Sequence, residues 1–273
     1  MAQVTERPLL LIAGHGERGG ARDNKRLSAI AARTGALLPG WEVRHGVLAG
    51  APSIEEAATG ARARAVIVWP FFMCRGYFIR AVSRRLEALG LTCDLLQELG
   101  AAPELVAVTS RTLAAADARA AQPVLVVAHG SSKGPESRLA AQRFARALAN
   151  GTPFKDVLCA FLEEPPFAAG AIADLPAGSA VISLFAGDGL HGGHDMAALI
   201  AESGRDDLTV VCPAADIDAV ARIAAGVVDD QASAKGLFVN AGGIQAREVL
   251  PPMPLQGTSR RRSSDSEPLS IRR

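Results

Sequence analysis

The amino-acid sequence predicts an α/β fold of two similar doubly wound parallel-sheet domains that arose by internal duplication. Three observations carry this expectation. Short apolar runs alternate with stretches of helical period, which is the pattern of repeated βα units. The strand-like runs Leu9–Ala13 and Val124–Ala128 are continuously apolar, as strands covered on both faces must be. Both lead into a His-Gly pair, His15-Gly16 and His129-Gly130, 114 residues apart.

Within the first copy, the strand Leu9–Ala13 precedes a helix with Leu27, Ile30, Ala31, Thr34, Leu37 and Leu38 in helical period, stopped by Pro39-Gly40. A second strand covers Glu42 to Leu48. After Pro52, Ser53 and Glu56 have capping-box spacing, which predicts a helix reaching about Ala63. A third strand, Ala65–Phe72, is followed by a helix marked by Ile79, Val82, Leu86 and Leu89, then by a weak strand at Cys93–Leu96. Leu105, Val106, Thr109 and Leu113 mark a helix running into the Ala-rich stretch Leu113–Ala121, the expected junction.

The second copy repeats the plan. Strand Val124–Ala128 leads to a helix with Ala140, Phe144, Ala147 and Leu148 on one face, ended by Asn150-Gly151. Strands are expected at Asp156–Leu162, Ala180–Phe185 and Leu208–Cys212, with a short helical segment opened by Pro165-Pro166. Met196, Leu199 and Ile200 belong to one more helix, and Ile217, Val220, Ile223 and Val227 to the last. At the third strand Phe72 and Gly76 match Phe185 and Gly189 at an offset of 113, so one residue should be missing between the second and third strands. The domains read as residues 1–118 and 119–235, with an extension over 236–273.

Composition removes several function classes. The chain has 273 residues, 49% hydrophobic, enough for two ordinary cores. A net charge of +1 argues against nucleic acid or an anionic membrane surface as a partner. Cys74, Cys93, Cys159 and Cys212 lack C-x-x-C spacing and read as reduced structural thiols. Leu9–Ala13 is too short for a signal-peptide core, and no apolar run approaches the roughly 20 residues of a membrane span. A soluble cytoplasmic protein is expected.

The copies differ where chemistry would sit. Ligands of open parallel sheets bind outside the carboxyl ends of the strands. There the second copy offers His129, Glu163 and His191, whereas the first offers His15, Ala49 and Phe78. Two imidazoles and a carboxylate suit divalent iron, cobalt, nickel or zinc, and could equally accept protons near neutral pH.

These residues resemble the class II tetrapyrrole chelatases, specifically the two-repeat sirohydrochlorin cobaltochelatase and ferrochelatase group. The likeness rests on Val124–Gly130, on Phe161-Leu162-Glu163, and on Leu184-Phe185 followed by Gly189-Leu190-His191 and Asp195. Pro70-Phe71-Phe72-Met73 leading to Gly76-Tyr77 is the same third-strand motif in the first copy. The resemblance implies two domains facing a cleft, with His129, Glu163 and His191 binding metal and removing protons. It implies no cofactor beyond the substrate ion, cobalt or iron with nickel possible, and a sirohydrochlorin-like tetrapyrrole as the other substrate. Lys133, Arg138, Arg75 and Arg80 would then meet the macrocycle's carboxylates, and His15 would line the cleft or keep a strand-end hydrogen bond. His194 is either an outer metal ligand or a solvated residue at a helix start.

Three other readings stand beside this one. A protoporphyrin ferrochelatase would want a longer chain and a more apolar pocket. A metal or tetrapyrrole carrier could use the same ligands without turnover. A hydrolase built on His129-Gly130-Ser131-Ser132 lacks a nucleophile-elbow context, and Gly130–Gly134 lacks the Walker spacing of a nucleotide loop. The Ser- and Arg-rich end from about Gly257, including Arg260, Arg261 and Arg262, is expected to be a disordered, dispensable tail.

Overall fold

The computed structural model describes residues 7–17, 24–187, 195–234, 237–240 and 243–246. The first copy runs β1 (Leu9–Gly14), α1 (Lys25–Leu37), β2 (Glu42–Val47), α2 (Ile54–Ala57), β3 (Val66–Pro70), α3 (Tyr77–Ala88), β4 (Asp94–Leu95) and α4 (Pro103–Ala115). The second runs β5 (Val124–Ala128), α5 (Glu136–Gly151), β6 (Val157–Phe161), α6 (Ala168–Ala173), β7 (Ala180–Ser183), α7 (Asp195–Ser203), β8 (Thr209–Val211) and α8 (Ile217–Ala234). Each copy forms a four-stranded sheet in the same order, β2-β1-β3-β4 and β6-β5-β7-β8, and all its strand pairs are parallel.

Strand register makes the duplication a matter of geometry. Leu10 pairs with Val43 and Ile67, and Val124 pairs with Val157 and Ala180, so equivalent residues are 114 apart in the first two strands and 113 apart in the third. The bridges Val47 to Ser53 and Phe161 to Phe167 are still 114 apart. The missing residue therefore falls between Phe167 and Ala180, in the connection that carries α6.

Side chains alternate across each sheet. Leu9, Leu11 and Ala13 of β1 face α2 and α3, while Leu125 and Val127 of β5 face α6 and α7. Leu10 and Ile12, like Val124, Val126 and Ala128, point the other way, into a single core shared with α1, α4, α5 and α8. Burying each leucine or isoleucine contributes roughly 1.5–3 kcal/mol, so this common core joins the copies into one body. Inside it α1 packs on α8, and α4 on α5. Exchanging the copies turns one contact into the other, which is the form of a two-fold dimer interface.

Some expectations needed correction. The Ser53–Glu56 capping box forms, but α2 is a single turn ending at Ala57 instead of reaching Ala63. Arg44 on β2 takes up the freed carbonyls of Ala57 and Thr59, at 3.1 and 2.7 Å, and Gly60 turns the chain at φ +75. Ala147 is exposed, and Ala141 and Ala145 are buried in α5 instead. α4 stops at Ala115 and Asp117 adopts φ +55, so the following alanines do not extend the helix. Beyond α8 the extension holds an antiparallel pair, β9 (Leu237–Asn240) and β10 (Gly243–Ala246). The tail from Gly257 lies outside the described residues.

No described helix is long and apolar enough to cross a membrane. Cys74, Cys93, Cys159 and Cys212 form no disulfide among the described residues. Burial pushes Cys159 up to about 11, against a smaller opposing influence from Arg146. Since the thiolate is the reactive form, iodoacetamide at pH 8 should label Cys159 at least about tenfold more slowly in native protein than in urea-unfolded chain, as followed by peptide mass spectrometry. Equal rates would show that the strand does not protect this thiol.

Candidate functional site

β5 is an interior strand with β6 on one side and β7 on the other, so its carboxyl end delivers His129 to the middle of the rim. Hydrogen bonds continue past the end of the ladder. The backbone N–H groups of Leu162 and Glu163 both donate to the His129 carbonyl oxygen, at 3.1 and 3.0 Å. This fixes the backbone under Glu163 against the backbone under His129.

His129 Nδ1 lies 2.9 Å from the Gly130 carbonyl oxygen. A carbonyl can only accept, so Nδ1 donates, which in the neutral ring leaves the lone pair on Nε2. Nε2 stands 3.6 Å from Glu163 Oε1, too long for a direct hydrogen bond. Two ligands of one divalent ion, each about 2.0–2.2 Å from it, stand roughly 3–3.5 Å apart. The imidazole and carboxylate are therefore spaced much as two donors to a shared ion would be. Both remain accessible, at 36% and 50% side-chain exposure. Among the described residues no three His, Cys, Asp or Glu side chains cluster as a metal site. His191, the third expected member, and His194 lie outside the described residues.

Glu164 was not foreseen. It is 7% exposed and accepts from the Ser131 backbone N–H at 3.0 Å and from an Arg138 guanidinium nitrogen at 2.8 Å. Gly130 presses against it at φ +72, where a Cβ would come within 2.7 Å of Phe161 Cβ and 2.9 Å of Glu164 Cγ. The Ser137 hydroxyl accepts from the Gly130 N–H at 3.0 Å. An internal carboxylate thus takes the Ser131 backbone donor that a phosphate would otherwise use, and Arg138 is committed largely to that carboxylate.

The first copy holds its equivalent loop differently. Asn24, 114 residues before Arg138, accepts from the Glu17 N–H at 2.8 Å and donates to the Ala51 carbonyl at 2.6 Å. Glu17 is itself 114 before Ser131, so the same backbone N–H is secured in both copies, by a neutral amide in one and a carboxylate–guanidinium pair in the other. The sequence signal was the doublet Glu163-Glu164, whose second member stands opposite Gly50.

A cavity of about 630 Å³ opens beside this loop, lined by Ser131–Pro135, Arg138, Glu163, Glu164 and Pro165. Lys133 and Arg138 line this cavity, with Lys133 exposed. Arg75, Arg80 and His15 stand at the carboxyl end of the other sheet. Arg75 is paired with the buried Glu98 at 3.4 Å, Arg80 is exposed on α3, and His15 is exposed with its ring edge-on to Phe78. The two rims adjoin: a Cβ at Gly76 would lie 3.9 Å from Glu136 Cβ at the start of α5.

Solved structures share this duplicated α/β fold. A structure described as CbiX, the terminal enzyme for biosynthesis of siroheme in denitrifying bacteria, is 28% identical, with a TM-score of 0.69 over 82% of this chain and 99% of that one. SirB from Bacillus subtilis, solved with Fe3+, is 16% identical, with a TM-score of 0.62 over 85% of this chain and 99% of its own. DR2241 from Deinococcus radiodurans, a multi-domain protein with structural similarity to chelatases, is 18% identical, with a TM-score of 0.63 over 87% of this chain and 57% of its own. Residues 9–116 match the family model described as CbiX, and no curated protein matches the chain by sequence. Over residues 9–116 the chain is thus similar in sequence to the CbiX family, and over both copies it is similar in fold to solved chelatases.

Two substitutions test the loop lock. Glu164→Gln keeps an acceptor for Ser131 but loses the charged pair with Arg138, and should cost about 1–2 kcal/mol in urea unfolding. Gly130→Ala forces both a left-handed backbone and an overlap, and should cost about 2 kcal/mol or more. Unchanged stability in both variants would mean that the loop is held by something else.

Proposed function

We propose that this chain is a sirohydrochlorin chelatase, inserting cobalt or iron, with nickel a further option, in cobalamin or siroheme biosynthesis in the cytoplasm. The observation that carries the proposal is the 3.6 Å separation of His129 Nε2 and Glu163 Oε1 at adjacent strand ends. The fold shared with the chelatase structures supports it.

Insertion requires that the ion shed its ligands while the macrocycle loses two pyrrolic protons. In this reading both ion and macrocycle are substrates, and no resident cofactor is needed. His129 and Glu163, completed by His191, hold the ion first. As it passes to the macrocycle, the imidazole and carboxylate become free to accept the two protons released. One divalent ion leaves and two protons arrive, so the net charge of the site does not change. The transfer therefore builds up no uncompensated charge in the cleft. Lys133 at the cavity edge, and the half-exposed side of Arg138, face the acid groups of the macrocycle.

The test is purified protein with sirohydrochlorin and cobalt, iron or nickel ions, followed by visible absorption. Product should exceed enzyme many times over. Glu163→Gln, His129→Ala and His191→Ala should each lower the rate by about 100-fold or more, towards the uncatalysed reaction, whereas His15→Ala should retain a measurable fraction. Tight one-to-one binding without turnover would instead make the protein a carrier of metal or tetrapyrrole.

A further inference from the structure

The first sheet presents a different surface at the rim where the second presents His129 and Glu163. Phe78 sits at its centre. The His15 ring meets it edge-on at 4.6 Å, Tyr77 meets it edge-on at 5.6 Å, and Phe72 stacks with it at 6.1 Å. Phe72 is buried, which anchors the group, yet Phe78 is 44% exposed and Tyr77 is 65% exposed. Aromatic residues make up only 4% of the chain, so two exposed rings side by side stand out from ordinary surface. They are held in place by other rings and lose little freedom when a ligand covers them.

Charge accompanies the rings. α3 buries Ile79, Val82 and Leu86, which leaves Tyr77, Arg80 and Arg84 on the exposed side at helical spacing. The Arg84 guanidinium lies 5.8 Å from the centre of the Tyr77 ring. The surface thus combines apolar ring faces with two guanidinium groups suited to carboxylates. Gly76, the residue before α3, lies beside the start of α5, where a Cβ would be 3.9 Å from Glu136 Cβ. In the sequence match between the copies, Phe78 occupies the place of His191 and His15 that of His129.

We propose that His15, Tyr77 and Phe78, with Arg80 and Arg84, form a docking face for one side of a flat, conjugated, polycarboxylate macrocycle, so that the first copy positions the tetrapyrrole while the second handles ion and protons. This rests on the chelatase reading above, and the experiment separates the two. Tyr77 is the single tyrosine of the chain, so full-length protein grown with 3-fluorotyrosine carries one fluorine reporter in the face itself. Titration with metal-free sirohydrochlorin should shift that resonance saturably, with the same midpoint as the change in visible absorption.

Phe78→Ala should raise both Kd and KM for the macrocycle by about tenfold and leave KM for the metal ion unchanged. Arg84→Gln should weaken macrocycle binding at low salt and have little effect at high salt. Phe78→Leu, which keeps an apolar contact for Phe72, serves as the folding control and should fall between wild type and Phe78→Ala. A macrocycle that binds wild type and Phe78→Ala equally, with the fluorine signal unmoved, would overturn the docking face and leave the chelatase reading intact. Wild type that binds no macrocycle would overturn both.

Discussion

The carbonyl oxygen of His129 accepts from two successive backbone N–H groups, those of Leu162 and Glu163, and the chemistry assigned to the cleft depends on that junction. Parallel strands end in loops that are free to diverge. Here the last hydrogen bonds of β5 and β6 reach beyond the strands and set the spacing of the two side chains that follow. Glu164 secures the other side by holding the Ser131 N–H, while Gly130 turns in a space too tight for a Cβ. The imidazole and carboxylate are held apart at the distance suited to a shared ion because the backbone beneath them is fixed twice, once by the sheet and once by a buried carboxylate.

What could be read from the sequence follows from which interactions are periodic. The eight strands of the two sheets and most of the helices were legible because burial on both faces, or along one stripe, repeats at a fixed interval, and the His-Gly pairs gave the duplication its phase. The length of α2 was not legible, because a capping box reports where a helix starts and Arg44, distant in sequence, helps to end it. Ala147 was assigned to the buried face where Ala141 and Ala145 lie, since alanine carries too little apolar weight to locate a stripe. The hairpin β9–β10 follows the last copy and has no counterpart in the first, so the repeat could not predict it.

The site was legible in part for the same reason. His129 and Glu163 stand at strand ends, and strand ends are given by register. Glu164 escaped notice because adjacent residues at a strand end point different ways: Glu163 into solvent, Glu164 inward. Arg75 and Arg138 were read as groups for a substrate carboxylate, and each already has a buried carboxylate of the protein beside it, Glu98 or Glu164. A sequence displays its basic residues but not their partners, which come from other strands.

The exchange-related packing of α1 on α8 and α4 on α5 has a further consequence. Two identical subunits related by such an axis would carry every substitution twice, and replacing a strand-end histidine by phenylalanine would erase the ligand from both rims at once. Joined in tandem, the halves keep the same mutual fit while each codon is read in one place only. The shared core can then stay conservative while the two rims drift apart, one towards acids and imidazoles, the other towards rings. A molecule built on an approximate dyad has in this way become polar, with a different chemistry on either side of its own axis.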